Sequence, residues 1–123
     1  MSSRDLIFER KWAAWRLKIK KDLGRLPDLN AILMLIGIQE LGQFKKQYSK
    51  EEKQDLMHIG VCTLLTPLGH YRYIGRDAEG WPHFELLKPL TEMSVKEQEM
   101  LLKKQALKYL EKSEGVDEIV KSN

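Results

Sequence analysis

The chain has 123 residues, enough for one domain with a real core and too few for two of ordinary size. Apolar residues make up 42% and charged residues 32%, with four prolines and eight glycines, which excludes a fibrous or disordered chain. Net charge is +3, too small by itself to define a partner.

The distribution of charge says more. From Arg4 to Arg25 there are eight basic residues and three acidic ones, while the remainder is near balance. Cys62 is the single cysteine, so no internal disulfide can form and a reducing, cytoplasmic compartment is expected. Leu6, Ile7 and Phe8 are apolar, but Glu9, Arg10 and Lys11 end that run at once, unlike a secretory leader. The longest apolar run, Ala31 to Ile38, falls far short of the ~20 residues of a membrane-spanning helix. A soluble helical domain is therefore expected.

Residues 4–23 read as the first helix. Phe8, Trp12, Trp15 and Ile19 recur at the helical period, and Leu6, Ala13 and Leu17 make a second apolar stripe well round the cylinder. A helix with two stripes is expected to pack on two sides. Gly24 and Pro27 stop it. Residues 28–43 read as the second helix, with Asp28 as N-cap and Gly42 as terminator. Its Ala31–Ile38 stretch is apolar all round, which predicts a central buried element.

Residues 50–66 read as the third helix. Ser49 and Glu52 have capping-box spacing, and Leu56, Met57, Gly60, Val61 and Leu64 form the apolar face. Pro67 and Gly69 close it. Residues 70–87 then change character. Tyr71, Tyr73, Ile74, Trp81, Phe84 and Leu86 favour strands, and Asp77-Ala78-Glu79-Gly80 reads as a turn between them. Pro82 has to sit at a strand start or on an edge.

Residues 94–112 read as the fourth helix, opened by a second capping box at Ser94 and Glu97. Val95, Leu102, Ala106 and Tyr109 are expected on its inner face, with Met100 and Leu107 off that face. Residues 113–123 read as a polar tail or a short further helix. The expected fold is therefore a mainly α bundle of four to five helices, in a single domain over 1–123, with one β-hairpin inserted before the last long helix.

Three sets of residues carry chemistry. Glu51, Asp55, His58 and Cys62 are spaced four, three and four apart, which puts carboxylates, imidazole and thiol on one side of a helix. These are ligand types for zinc and other transition metals, so Asp55, His58 and Cys62 form a candidate metal face. The competing reading is a solvated helix start with a buried thiol, and no cofactor is expected. His70 and His83 flank the hairpin without spacing that demands a metal. Glu40 ends the most apolar stretch, and if buried it needs a partner; His58 is the expected one.

The basic first helix is the remaining candidate. Lys18, Lys20, Lys21 and Arg25, with Lys45 and Lys46 nearby, could contact phosphates of RNA or a ribosome. Trp12 and Trp15 are candidate stacking residues, but their helical spacing favours a role as core anchors. No nucleophile elbow and no phosphate loop occurs. The expected function is therefore non-enzymatic binding of another macromolecule, through a protein partner or self-association; RNA or ribosome binding through the basic first helix is the alternative, and a metal-binding protein or enzyme using the Glu51, Asp55, His58 and Cys62 face is the second alternative.

Overall fold

The computed structural model describes residues 3–121, with side chains described as far as Ser113. It is mainly α, with 65% of the chain helical and one two-stranded antiparallel sheet. Helix α1 spans Ser3–Leu23, α2 Leu29–Leu41, α3 Lys50–Leu65 and α4 Val95–Lys121. A single 3₁₀ turn, Thr66–Leu68, follows α3. Strands β1 (Tyr71–Arg76) and β2 (Pro82–Leu86) form the hairpin before α4. Among the described residues no helix is long and apolar enough to cross a membrane.

Local chemistry sets the helix boundaries. The Asp28 carboxylate accepts from the Ala31 N–H at 2.8 Å, which satisfies a donor that the first turn of α2 leaves open. Both capping boxes form. Ser49 Oγ accepts from the Glu52 N–H while Glu52 accepts from the Ser49 N–H, and Ser94 and Glu97 repeat the exchange. Gly42 ends α2 at φ +74°, a conformation that costs glycine little. Residues 113–121 continue α4 without a break, where the polar composition had suggested a tail or separate helix.

The centre is the contact between α2 and α3. Ile32, Leu33 and Ile36 from α2 meet Leu64 from α3, and Phe8 and Trp12 of α1 join Ala106 and Leu107 of α4 around them. Leu107 thus lies in the core, contrary to its expected place off the inner face of α4, whereas Val95 is 80% exposed at the helix start. Two glycines set the closeness of α2 and α3. A Cβ on Gly60 would stand 2.2 Å from the Leu33 carbonyl oxygen, so only a residue without one permits this backbone approach.

Helix α1 packs through one stripe only. Phe8 and Trp12 are buried and stacked, with ring centroids 6.2 Å apart, and Trp15 and Ile19 pack against the same cluster. Arg16 Nε donates to the Pro27 carbonyl at 2.7 Å, tying the helix to the segment that leads into α2. The second stripe has no cover among the described residues: Leu6 is 48% and Leu17 56% exposed, and Ala13 is exposed too. The expectation that α1 packs on both sides within this domain is therefore not met.

The hairpin docks through a bulge. Tyr71 pairs with Leu86 and Tyr73 with Phe84, but Gly75 pairs with His83, so Ile74 is an extra residue in β1. The insertion shifts the alternation by one. Arg76, paired with Pro82, therefore shares the face of Tyr71 and Tyr73. From there its guanidinium donates to the carbonyls of Glu40, Leu41 and Gly80 at 2.6, 3.0 and 2.6 Å. The cation satisfies the open carbonyls at the end of α2 and clamps the hairpin to it.

Candidate functional site

Between the first half of α3 and the turn of the hairpin lies an open groove of about 570 Å³. Asp55, His58 and Glu52 line it from α3; Asp77, Glu79, Trp81 and His83 line it from the hairpin; Gln43 and Lys45 close one end. Glu52 already forms the capping box and also accepts from Lys45 Nζ at 2.7 Å. The hydrogen bond from Lys45, with the Ser49 N–H, holds the Glu52 carboxyl below its ordinary range. Asp77 and His83 are joined at 2.9 Å. Asp77 also accepts from the N–H groups of Glu79 and Trp81, at 2.9 and 3.0 Å. The His83 hydrogen bond, then these backbone donors, lower the Asp77 pKa.

This geometry accounts for the Asp77–His83 pair as a turn device. A carboxylate at the first turn residue that gathers two later N–H groups organises the loop, and the imidazole holds its other oxygen. A catalytic dyad also needs a nucleophile or substrate-activating group within hydrogen-bond reach of the base. None of the described side chains bonded to His83 supplies one.

The metal face is divided by its own length. Asp55 and Cys62 are seven positions apart, roughly 10 Å along a helix axis, too far to ligate one ion. Asp55 is exposed at the groove, as is Glu51 at the helix start, while Cys62 is fully buried. Cys62 Sγ lies 3.4 Å from His58 Nε2, and the His58 ring meets Tyr71 edge to face at 6.1 Å. Burial pushes the Cys62 thiol up to about 11, away from the thiolate that metals and electrophiles require. Among the described residues no group of three or more His, Cys, Asp or Glu side chains could hold a metal. His70 stays apart from the groove that His58 and His83 line: its Nδ1 bonds the Lys88 carbonyl at 2.8 Å, at the open end of the hairpin.

Glu40 has a partner other than the expected one. Its carboxylate accepts from the Tyr109 hydroxyl at 3.1 Å, linking α2 to α4, and His58 turns instead toward Cys62. Burial, and then the Glu40 charge, raise the Tyr109 pKa, so the phenol stays protonated and donates.

The candidate binding residues of α1 separate into two groups. Trp12 is buried in the core and Trp15 is half-buried, with Lys18 Nζ 4.7 Å from its ring centroid. Neither indole is a free stacking platform. Lys20 and Lys21 are exposed, as is Arg25 in the following segment, and at ~100° per residue Arg10, Lys20 and Lys21 lie round the stripe of Leu6, Ala13 and Leu17. Ile7, 55% exposed, borders the same surface. Lys45 is taken by Glu52 and lies off this surface at the groove; Lys46 is exposed in the same segment.

Neither the role of Arg76 nor the Asp77–His83 pair is visible in the residues alone. The bulge that turns Arg76 inward leaves no local signature. The pair becomes visible only once the hairpin register brings position 83 back beside position 77. No protein-family model, curated protein or solved structure matches this chain.

Proposed function

We propose that this domain is a non-enzymatic protein-binding module whose docking surface is the outer face of α1. The observation that carries this reading is the stripe of Leu6, Ala13 and Leu17, all exposed and bordered by the half-exposed Ile7, on a helix that buries its opposite face in the core. Apolar side chains aligned on one face and rimmed by polar groups mark interaction sites more often than isolated ones do. The rim here is mainly basic, with Arg10, Lys20 and Lys21 against the single carboxylate of Glu9. The partner is therefore an amphipathic segment with apolar anchors and acidic flanks, laid along the helix. A second copy fits this face poorly, because it would bring two sets of the same cations together.

Protein is favoured over RNA by the state of the indoles. Trp12 is committed to the core and Trp15 to Lys18, so the basic helix offers phosphate contacts without bases to stack. The fully buried thiol and the turn-organising role of Asp77 support a structural rather than catalytic use of the groove side chains.

A native pull-down, washed at low and then high salt, tests this reading. A retained protein should lose at least tenfold in affinity with Leu6→Asp or Leu17→Asp, positions exposed enough to leave the helical spectrum unchanged. Its contacting segment, mapped by cross-linking, should carry acidic residues. Retention of RNA instead, insensitive to the leucine changes and lost with Lys20→Glu and Lys21→Glu, would establish the nucleic-acid alternative and sink this one.

A further inference from the structure

Pro82 and Phe84 line the groove, and they also line a second cavity of about 300 Å³. That volume lies at the lower end of the range for small-molecule sites. Thr63 of α3 and Thr66 and Pro67 of the 3₁₀ turn contribute from the helical side, and Glu40 comes from the last turn of α2. Tyr73 and Arg76 contribute from β1. The Ile74 bulge makes this lining possible, because it puts Arg76 on the face of Tyr73 and Phe84. Among the described residues none of α1 takes part.

The lining carries one carboxylate and one guanidinium, and neither is spent on the other. Arg76 Nη1 bonds the carbonyls of Leu41 and Gly80, and Nη2 bonds that of Glu40. A guanidinium has five N–H donors, so Nε–H and the second Nη2–H keep no acceptor among the described residues. The Glu40 carboxylate accepts from Tyr109 through Oε2, and its Oε1 has no donor among them. The hydroxyls differ in the same way. Thr66 donates to the Cys62 carbonyl at 2.7 Å, whereas Thr63 Oγ1 is buried with no hydrogen-bond partner. No other described side chain leaves a buried polar atom in that state. Such a hydroxyl calls for a partner that the chain does not supply.

We infer that this cavity binds a free α-amino acid with an aliphatic or aromatic side chain, its carboxylate on Arg76 and its ammonium on Glu40. The charges select a zwitterion. A simple amine leaves Arg76 unmet and is repelled by it, a simple acid stands in the same relation to Glu40, and a neutral molecule meets neither. The apolar part of the lining accounts for the side chain. Tyr73 and Phe84 stand edge to face with ring centroids 5.6 Å apart, and Pro67 and Pro82 border the same space. A peptide end carries only one of the two charges at its terminal α-carbon, so the free amino acid fits where a peptide does not.

Titration of the full chain with L-leucine and with L-phenylalanine, followed by NMR, tests this. At least one should give saturable shifts at Thr63, Tyr73 and Phe84. The matching amines and carboxylic acids, each missing one charge, should bind at least tenfold more weakly. Glu40→Gln keeps an acceptor for Tyr109 but removes the charge, and should weaken binding at least tenfold with an unchanged circular dichroism spectrum. Thr63→Val should weaken it severalfold while the unfolding midpoint of the free chain does not fall, because the open hydroxyl is gone. Leu17→Asp should change none of these results, which separates this cavity from the α1 surface. The proposal is overturned if neither amino acid shifts these residues at about 10 mM. It is overturned equally if the amine or the acid alone binds as tightly as the amino acid, a comparison that needs no variant to fold.

Discussion

A Cβ at Gly37 would stand 2.0 Å from the Leu56 carbonyl oxygen, and its counterpart at Gly60 meets Leu33 in the same way. In both cases the obstruction is backbone, which cannot swing aside as a flexible side chain can. Accommodating a methyl group therefore means separating α2 from α3 and opening the core along their length. Gly37→Ala and Gly60→Ala should each cost about 3 kcal/mol or more, at the upper end of overpacking effects. Urea unfolding followed by circular dichroism measures this directly. The same substitution at Gly24, where nothing lies within 4 Å of an added Cβ, serves as a control for the backbone cost of a positive φ alone. An unchanged midpoint for Gly37→Ala would mean that the two helices do not touch as described.

The turn of the hairpin is organised by an ionised group. Asp77 gathers the N–H groups of Glu79 and Trp81 and bonds His83, and these partners depress its pKa. The sign follows from linkage. A carboxyl with a lower pKa in the folded state stabilises that state fully above its unfolded pKa and loses the contribution as pH falls through the folded value. The turn should therefore hold from neutral pH down to about pH 4 and loosen below it. Amide exchange at Glu79 and Trp81 should rise below that pH while amides of α2 stay protected. Asp77→Asn should leave the turn looser already at neutral pH and remove this acid dependence; exchange that follows the whole molecule at every pH would show that the turn has no local equilibrium of its own. Helix α1 differs in kind. It is held by one apolar stripe and by Arg16, and its remaining apolar surface is what the proposed docking uses.

For the whole molecule, Cys62 is an internal reporter. It is fully buried on α3 beside Tyr71 of the hairpin, and burial raises its pKa to about 11. Alkylation in the native state then needs an opening that exposes α3. At pH 7.5 the rate should lie on the order of a thousandfold or more below that of the denatured chain, and should rise in step with stability loss in Gly37→Ala. Rapid labelling of the native protein would contradict this burial. Much of the architecture was legible in the residues themselves. The two capping boxes, the Asp28 cap, Gly42, Gly69 and the Asp77–Gly80 turn are local chemistry, decided within four or five positions, and they place the element boundaries. The all-apolar second helix likewise identifies the centre, because a cylinder with no polar side has to be covered. The site was less legible. One helical face did carry Asp55, His58 and Cys62, but periodicity gives direction and not depth, so it did not separate an exposed carboxylate from a thiol in the core. Partners across elements depended on how those elements pack: Glu40 with Tyr109 rather than His58, Arg76 on the end of α2, His83 on Asp77. Whether a second apolar stripe is covered or left open is a property of the assembled surface. Local sequence therefore determined which elements form and where they stop, since caps, turns and amphipathic periods act over a few residues. Only the tertiary structure decided which side chains meet and which faces stay free, because those contacts are set by the relative placement of segments far apart in the chain.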